Sequence, residues 1–298
     1  MNRICYHSLA SVLRAWYGRP IPKIGIDAGF GCPNRGHDGR SGPGCVYCNN
    51  ASFSVSATTG SVQAAITDGL SRLQGSSRWA PQPGIPLMAI AYFQSYSNTW
   101  ARPEILRERY TEAISNPGIV GLAISTRPDC IDEQRADILA EFGQKTRLWI
   151  ELGLQTTSTE ALTWIRRGHS VEDFIKAVRL LQQRDLRTVV HLIPGLPGES
   201  SADRDSCARL LADLGIWGIK FHHLQIVRDT PLEELARTDK IPQPRAEEYA
   251  GMVAEILARS GDPVVHRLHA SCRPELLSPE DRSDPGIPSL MRKRFIPW

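Results

Sequence analysis

Three cysteines, Cys32, Cys45 and Cys48, stand in "GCPNRGHDGRSGPGCVYCNN" (residues 31–50), a segment otherwise built almost entirely of glycine, proline and polar residues. Thiolates are soft donors that suit zinc, copper(I) or an iron–sulfur cluster. A structural zinc site takes four ligands, and the second C-x2-C pair that usually completes one is missing from the chain. His37, inside the same loop, offers a fourth ligand for a Cys3His zinc site. The other reading is a four-iron cluster held by three thiolates, which leaves one iron open to a further ligand. Three unliganded thiols fit the segment worst, because it offers no apolar surroundings in which to bury them. With so little of its own to shape it, the loop is expected to take its order from the metal. Tyr47, between the second and third cysteines, could support a stacked purine or pack beneath the loop.

The chain-wide numbers set the context for these thiols. Seven cysteines form no even, regularly spaced framework, so thiols in a reducing compartment are expected rather than a disulfide scaffold. Lys and Arg number 35 against 32 Asp and Glu, a net charge of +3 that does not announce a nucleic-acid binder. The end of the chain, "MRKRFIPW", is locally basic and allows a polyanionic partner. No apolar run approaches the roughly 18–20 residues of a membrane span, and no small-residue cleavage site follows the first residues. The expected location is cytoplasmic, with no membrane partner.

Elements that would position the loop follow from periodicity. Short apolar runs recur at 24–30, 87–93, 120–126, 148–154, 188–194 and 218–225. Each is apolar on both faces and bounded by breakers, as buried parallel strands are. Between them lie amphipathic segments such as "PEILRERYTEAIS" and "VEDFIKAVRLLQQR", with Asp132, Ser158 and Ser200 where caps belong and Pro103 in a first turn. An amphipathic helix over about 7–17 precedes the first run. Strict βα alternation demands parallel strands with right-handed crossovers. Gln94, Ser125, Thr126, Gln155 and the "PGLPGE" turn fall at the carboxyl ends of successive runs, where a barrel would bring them to one mouth. The expected fold is therefore α/β, a partial (β/α)6 barrel: residues 1–20 lead in, 21–240 form the core, and 241–298 pack on it as a helix and extension. The tail from Ser271 is expected to wrap the barrel or cover its mouth.

The stretches "IDAGFGCPNRGHDGRSGPGCVYCN", "AYFQSYSNT", "ISTRPDCI", "WIELGLQTTSTEALTWIRRGHS", "VVHLIPGLPGES" and "GIKFHHLQIVRDTPL" occur in that order. In them the chain resembles radical S-adenosylmethionine (SAM) enzymes, and within these the YhcC/YtqA-like family, related to the catalytic subunit of Elongator. The resemblance implies a partial barrel, a [4Fe–4S] cluster on Cys32, Cys45 and Cys48, and SAM bound to the free iron through its amino and carboxylate groups. It implies reductive cleavage of SAM to methionine and a 5′-deoxyadenosyl radical that abstracts hydrogen from a substrate. It also implies an external electron donor of the flavodoxin or ferredoxin type. Elongator's relationship points to tRNA, at a wobble uridine, as the substrate class.

Site residues implied by the resemblance follow the same stretches. Gln155 matches a ribose-binding glutamine, and Arg167, twelve residues later, an arginine that pairs with the SAM carboxylate; Arg166 is an equally basic neighbour. Gly195, in "LIPGLPGE", belongs to a motif whose backbone lies against adenine. Glu151, a carboxylate inside an apolar strand, needs a partner; SAM or Arg167 is expected, with a purely structural barrel role as the alternative. The family's second-strand "GGE" is replaced here by "FQSYSN", which leaves Gln94, Ser95 and Ser125 as candidates for the SAM amino group. His191 stands where some relatives carry a ribose-binding acid, and it could equally be a buried barrel histidine. His222 and His223 alternate faces on the last run, so one of them is expected to point inward as a substrate or proton-transfer residue. The rival function is a zinc-stabilised α/β protein that binds nucleic acid or a partner without catalysis.

Overall fold

The computed structural model describes residues 3–52, 61–79, 86–270 and 272–298. The first half runs β1 (Ile4–Tyr6), α1 (Leu9–Tyr17), β2 (Lys23–Ile26), α2 (Val62–Gln74), β3 (Ala89–Phe93), α3 (Pro103–Ile114), β4 (Ile119–Thr126) and α4 (Glu133–Gly143). There follow β5 (Arg147–Gln155), α5 (Thr159–Trp164), α6 (Val171–Gln182), β6 (Arg187–Leu192), α7 (Ser201–Asp213) and β7 (Gly218–Phe221). The chain ends with α8 (Pro231–Thr238), α9 (Ala246–Leu257), β8 (Val264–Arg267), α10 (Ile287–Arg294) and β9 (Phe295–Pro297). The expected helix starts hold: Asp132, Ser158 and Ser200 accept backbone N–H bonds as N-caps, and Pro103 opens α3.

Strands β2 to β8 form one parallel sheet in chain order, curled into a partial barrel. Strand alternation divides every one of them. Outward residues such as Phe93, Ile124, Leu152, Val190 and Phe221 meet the helices in the main core. Inward residues form layers. The lower layer is apolar, with Ile90, Ala123, Trp149, Val189 and Val264 closed from below by Leu9 and Leu13 of α1. The layer above it carries Tyr92, Ser125, Glu151 and His191, two positions further along β3 to β6, and Lys220, two positions beyond Gly218 on β7.

The sheet has seven strands where six were expected. The seventh, β8, is the short run "VVHR", with neither the length nor a following helical period to mark it as a βα unit. Residues 241–298 therefore contribute to the barrel as well as packing on it. Ser271 lies outside the described residues. Cys272 lines the mouth and Arg273 bonds the Ala51 carbonyl. Further on, α10 packs on α9, and β9 pairs in parallel with β1 beneath the barrel. Among the described residues, no helix is long and apolar enough to cross a membrane.

Helix α2 lies tight on β2 because Gly69 leaves room for Ile24: a Cβ there would stand 2.4 Å from Ile24 Cγ2. Gly69→Ala raises intrinsic helix propensity by about 1 kcal/mol, yet overpacking against a stiff β-branched side chain costs about 1–3 kcal/mol. The expected outcome is net destabilisation in denaturant unfolding; a stabilised variant would contradict the packing.

Candidate active site

The cysteine loop leaves β2 at Asp27, whose carboxylate accepts bonds from Gly29 N (3.0 Å) and Arg40 Nη2 (2.8 Å). It is held by more than the sequence suggested. Arg35 spans it, donating to the carbonyls of Gly42 (3.1 Å) and Cys48 (2.5 Å), and Cys32 N donates to Gly39 O (2.8 Å). Val46 is fully buried; its N–H reaches Ile165 O (3.0 Å) and its carbonyl accepts from Leu232 N (2.9 Å). Gly39, at φ 68°, faces Trp100, whose Cζ3 would lie 2.2 Å from a Cβ there. Beside the metal group expected to order this loop, arginine side chains, an apolar plug and a tryptophan brace it.

Cys32, Cys45 and Cys48 are free thiols lining one cavity. Cys45 Sγ faces Asn34 Nδ2 (3.4 Å) and Arg167 Nη1 (3.5 Å). Burial and the neighbouring Cys45 push the Cys48 thiol up, while Arg35 pulls it down. Thiolates here would thus lie among cations, which suits a soft, electron-rich metal group. His37 is exposed and does not line the cavity. Among the described residues, no three His, Cys, Asp or Glu side chains are grouped to hold a single ion. The Cys3His arrangement is not formed.

The carboxyl end of β5 supplies the next wall. Gln155 has φ 77°, at a register shift between Gly153 and Gln155; a bulge of this kind re-aims a side chain at a strand's end. Gly153 provides the space: a Cβ there would lie 2.3 Å from Arg167 Nη2 and 2.7 Å from Gln155 Nε2. Arg167 is buried and donates through Nε and Nη2 to Gly153 O (3.2 and 2.7 Å). Its own carbonyl accepts from Arg127 Nη1 (2.8 Å). Arg166 is exposed, so of the two neighbours Arg167 alone enters the cavity. Gln94, Ser125 and Tyr47 line it too, Tyr47 also packing on the apolar cluster that contains Val46 and Ile165. Ser95 is buried away from the cavity.

Two expectations are corrected here. Gly195 does not line the cavity; at φ 85° it makes the turn after β6, donates to Glu199 Oε2 (2.7 Å) and faces Met252, while Ile193 supplies the lining. Glu151 touches neither Arg167 nor the cavity. It has no solvent exposure; five side chains donate to its two oxygens, and His266 Nδ1 lies 3.8 Å from Oε1. Lys23 Nζ (3.1 Å) and Trp149 Nε1 (3.1 Å) donate to Oε1. Tyr92 OH, His191 Nε2 and Lys220 Nζ, each at 2.8 Å, donate to Oε2. Burial by itself would raise this carboxyl, but Lys220 and Lys23 hold it well below the usual range. Its role is the structural alternative.

His191 lines the cavity and bonds Glu151; burial, then Lys220, brings its pKa down to about 3, so the ring is neutral. Burial, then Glu151 opposing from the other side, leaves Lys220 lowered to about 7. Both His222 and His223 line the cavity, contrary to alternation, because β7 ends at Phe221 and the pair lies beyond it. His222 accepts from Arg267 Nη2 (2.5 Å to Nδ1), and burial and Arg267 keep it neutral. His223 accepts from Ala270 N (3.2 Å). Sequence reasoning missed Lys23, Lys220 and Arg267. The signal was present: a lysine in each of "KIGI" and "GIKF" is the same anomaly as the glutamate in "LWIELGL", of opposite sign.

Comparison with known proteins agrees with this geometry. A model described as the Radical SAM superfamily matches residues 29–211, and one described as the Radical_SAM C-terminal domain matches residues 216–292. Protein YhcC of Escherichia coli K12 is 35% identical over 268 residues, 88% of this chain and 83% of YhcC. A tRNA uridine(34) acetyltransferase of Methanocaldococcus infernus is 34% identical over 138 residues, 45% of this chain and 25% of its own length. Among solved structures, Methanocaldococcus infernus Elp3 with an N-terminal deletion aligns at a TM-score of 0.56 and 20% identity. The match covers 78% of this chain and 58% of that one, and shows a shared fold.

Glu151→Gln removes the charge that both lysines share. Leaving buried cations uncompensated costs about 3–5 kcal/mol, so the variant should unfold at markedly lower denaturant. The pH dependence follows from the depressed carboxyl. Stability from Glu151 is complete above its ordinary value of 4.5 and is lost as pH falls through the lower folded value. Acid unfolding of the parent should show this loss and Glu151→Gln should not; coincident acid limbs would refute the assignment.

Proposed function

On the footing that the chain belongs to the radical SAM superfamily, we propose that Cys32, Cys45 and Cys48 hold a [4Fe–4S] cluster and that the adjoining cavity binds SAM. The observation that carries this is three free thiols on one cavity wall, flanked by Asn34, Arg35 and Arg167, with no fourth ligand among the described residues to close the set. When bound, the pair supplies reductive cleavage of SAM to methionine and a 5′-deoxyadenosyl radical that takes hydrogen from a substrate.

The chain's own residues bind and orient. Asn34 and Arg167 direct N–H groups at Cys45 Sγ, where negative charge is to be held. A guanidinium has five N–H donors; Gly153 O and Cys45 engage part of Arg167, and the remainder suit the SAM carboxylate. Gln155, strained into position, serves the ribose, Gln94 and Ser125 the amino group, and the Tyr47 ring the purine. Neutral His191 offers Nδ1 to a hydroxyl while Nε2 stays on Glu151. The apolar layer below and the tail across the mouth limit water, which strengthens every polar contact inside. The proposed substrate is a tRNA wobble nucleoside, supported by the partial match to a tRNA uridine(34) acetyltransferase and by exposed Arg292 and Lys293, which could meet phosphate. Electrons would come from an external donor of the flavodoxin or ferredoxin type.

Anaerobic reconstitution should give brown protein with about four irons per chain and, on reduction with SAM, 5′-deoxyadenosine. Zinc alone, with no 5′-deoxyadenosine, would overturn the reading. Cys45→Ala should lose iron. Arg167→Ala should retain iron and bind SAM about tenfold more weakly, the loss of a charged hydrogen bond worth about 1.5–3 kcal/mol; unchanged affinity by calorimetry would remove Arg167 from the SAM site. For the substrate, tRNA should raise 5′-deoxyadenosine above the level obtained with SAM alone; no rise with any tRNA pool would exclude it.

A further inference from the structure

Among the described residues, the barrel interior sets three basic side chains, Lys23, Lys220 and Arg267, against one carboxylate. Lys23 and Lys220 both pair with Glu151, the single carboxylate among these groups. Arg267 is a third cation, and among the described residues no acidic side chain reaches it. It is presented inward by an irregularity in β8: the register shifts so that Arg267, not His266, stands opposite Lys220. Among the described residues its only side-chain partner is His222, and its Nε is buried with no hydrogen-bond acceptor. The adjoining imidazoles of His191, His222 and His266 are all driven neutral by burial, so they add donors and acceptors but no charge.

A guanidinium cannot escape this situation by losing its proton, and a buried cation without a counter-ion is costly. The missing counter-ion must come from outside the chain. Arg267 and its partner His222 both line the same cavity as the thiols. Yet the thiols have their own cations in Arg35 and Arg167. Arg267 comes from the opposite edge of the sheet to β2, the strand that leads into the cysteine loop. A metal cation would be repelled here, and an uncharged apolar group would leave the Nε unpaired. A planar fork beside neutral imidazoles matches a carboxylate or a phosphate.

We propose that Arg267 and His222, with Lys220 behind them, form an oxyanion subsite that takes a carboxylate or phosphate group of the substrate. This rests on the reading that the substrate enters the cavity beside the cluster. It assigns to the C-terminal strand the part of the cavity that SAM does not occupy, and it makes a negatively charged substrate the expected class.

The test is binding, independent of turnover. Inorganic phosphate and acetate are titrated into the full chain by calorimetry and, for phosphate, by phosphorus NMR line broadening. Saturable binding is expected, about tenfold weaker in Arg267→Gln and partly retained in Arg267→Lys, with iron per chain and the thermal transition of Arg267→Lys unchanged. Phosphate bound in preference to acetate assigns a phosphate ester, and the reverse a carboxylate. Absence of saturable binding of both anions, or equal binding by the parent and Arg267→Gln, overturns the subsite. So does a fall in SAM affinity as large as the fall in anion affinity, which would make Arg267 a SAM ligand. If the parent makes no 5′-deoxyadenosine but binds phosphate through Arg267, the enzymatic reading falls and the subsite stands.

Discussion

One carboxylate without solvent contact organises the inside of this barrel. Glu151 on β5 receives hydrogen bonds from residues on β2, β3, β6 and β7 as well as from its own strand. Taking a carboxylate and two ammonium groups out of water is expensive, and the cost is offset only when every lone pair finds a donor. That condition constrains the curl of the sheet, because Lys23 reaches Oε1 and Lys220 reaches Oε2 of one carboxylate from strands on either side of β5. Below this layer the barrel is apolar and closed by α1; above it the cavity opens. The network is a charged floor on which a polar site can stand without water beneath it.

Charge above that floor divides into two groups. Near the thiols, Arg35 and Arg167 are engaged with backbone carbonyls of Gly42, Cys48 and Gly153, so their positions are set before any ligand arrives. Across the cavity, Arg267, His191 and His222 are half-buried, and burial with the neighbouring cations Lys220 and Arg267 holds the imidazoles neutral. In such surroundings an uncompensated charge acts strongly on whatever enters. The two groups give the cavity two distinct anion preferences, one suited to an electron-rich metal group and one to an oxyanion.

The cysteine loop illustrates how a segment poor in apolar residues can still be rigid. Its one apolar residue of consequence, Val46, is plugged beneath the barrel mouth and hydrogen-bonded on both sides to α5 and α8 neighbours. Glycines at 31 and 39 let the backbone close on Trp100, an approach no side chain would permit. Thiols mounted on such a frame are presented to the cavity by the protein.

Local signals carried much of this protein. Short runs apolar on both faces and helical periods located the six βα units, Ser, Asp and Pro marked helix starts, and the C-x12-C-x2-C spacing with Gln155 and Arg167 marked the wall of the site. Those features depend on neighbours in the chain, so they are readable from it. What tertiary structure alone decided is of a different kind. The partner of Glu151 proved to be lysines 128 residues before and 69 after it, and nothing local distinguishes that pairing from one with Arg167. His222 and His223 escaped alternation because β7 stops at Phe221, and Gly195 faced outward because its turn does. The seventh strand, four residues long, exists because an open sheet edge was there to receive it. Which groups share a buried charge, and which face a cavity, depends on how distant strands curl together, and no spacing in the sequence encodes that angle.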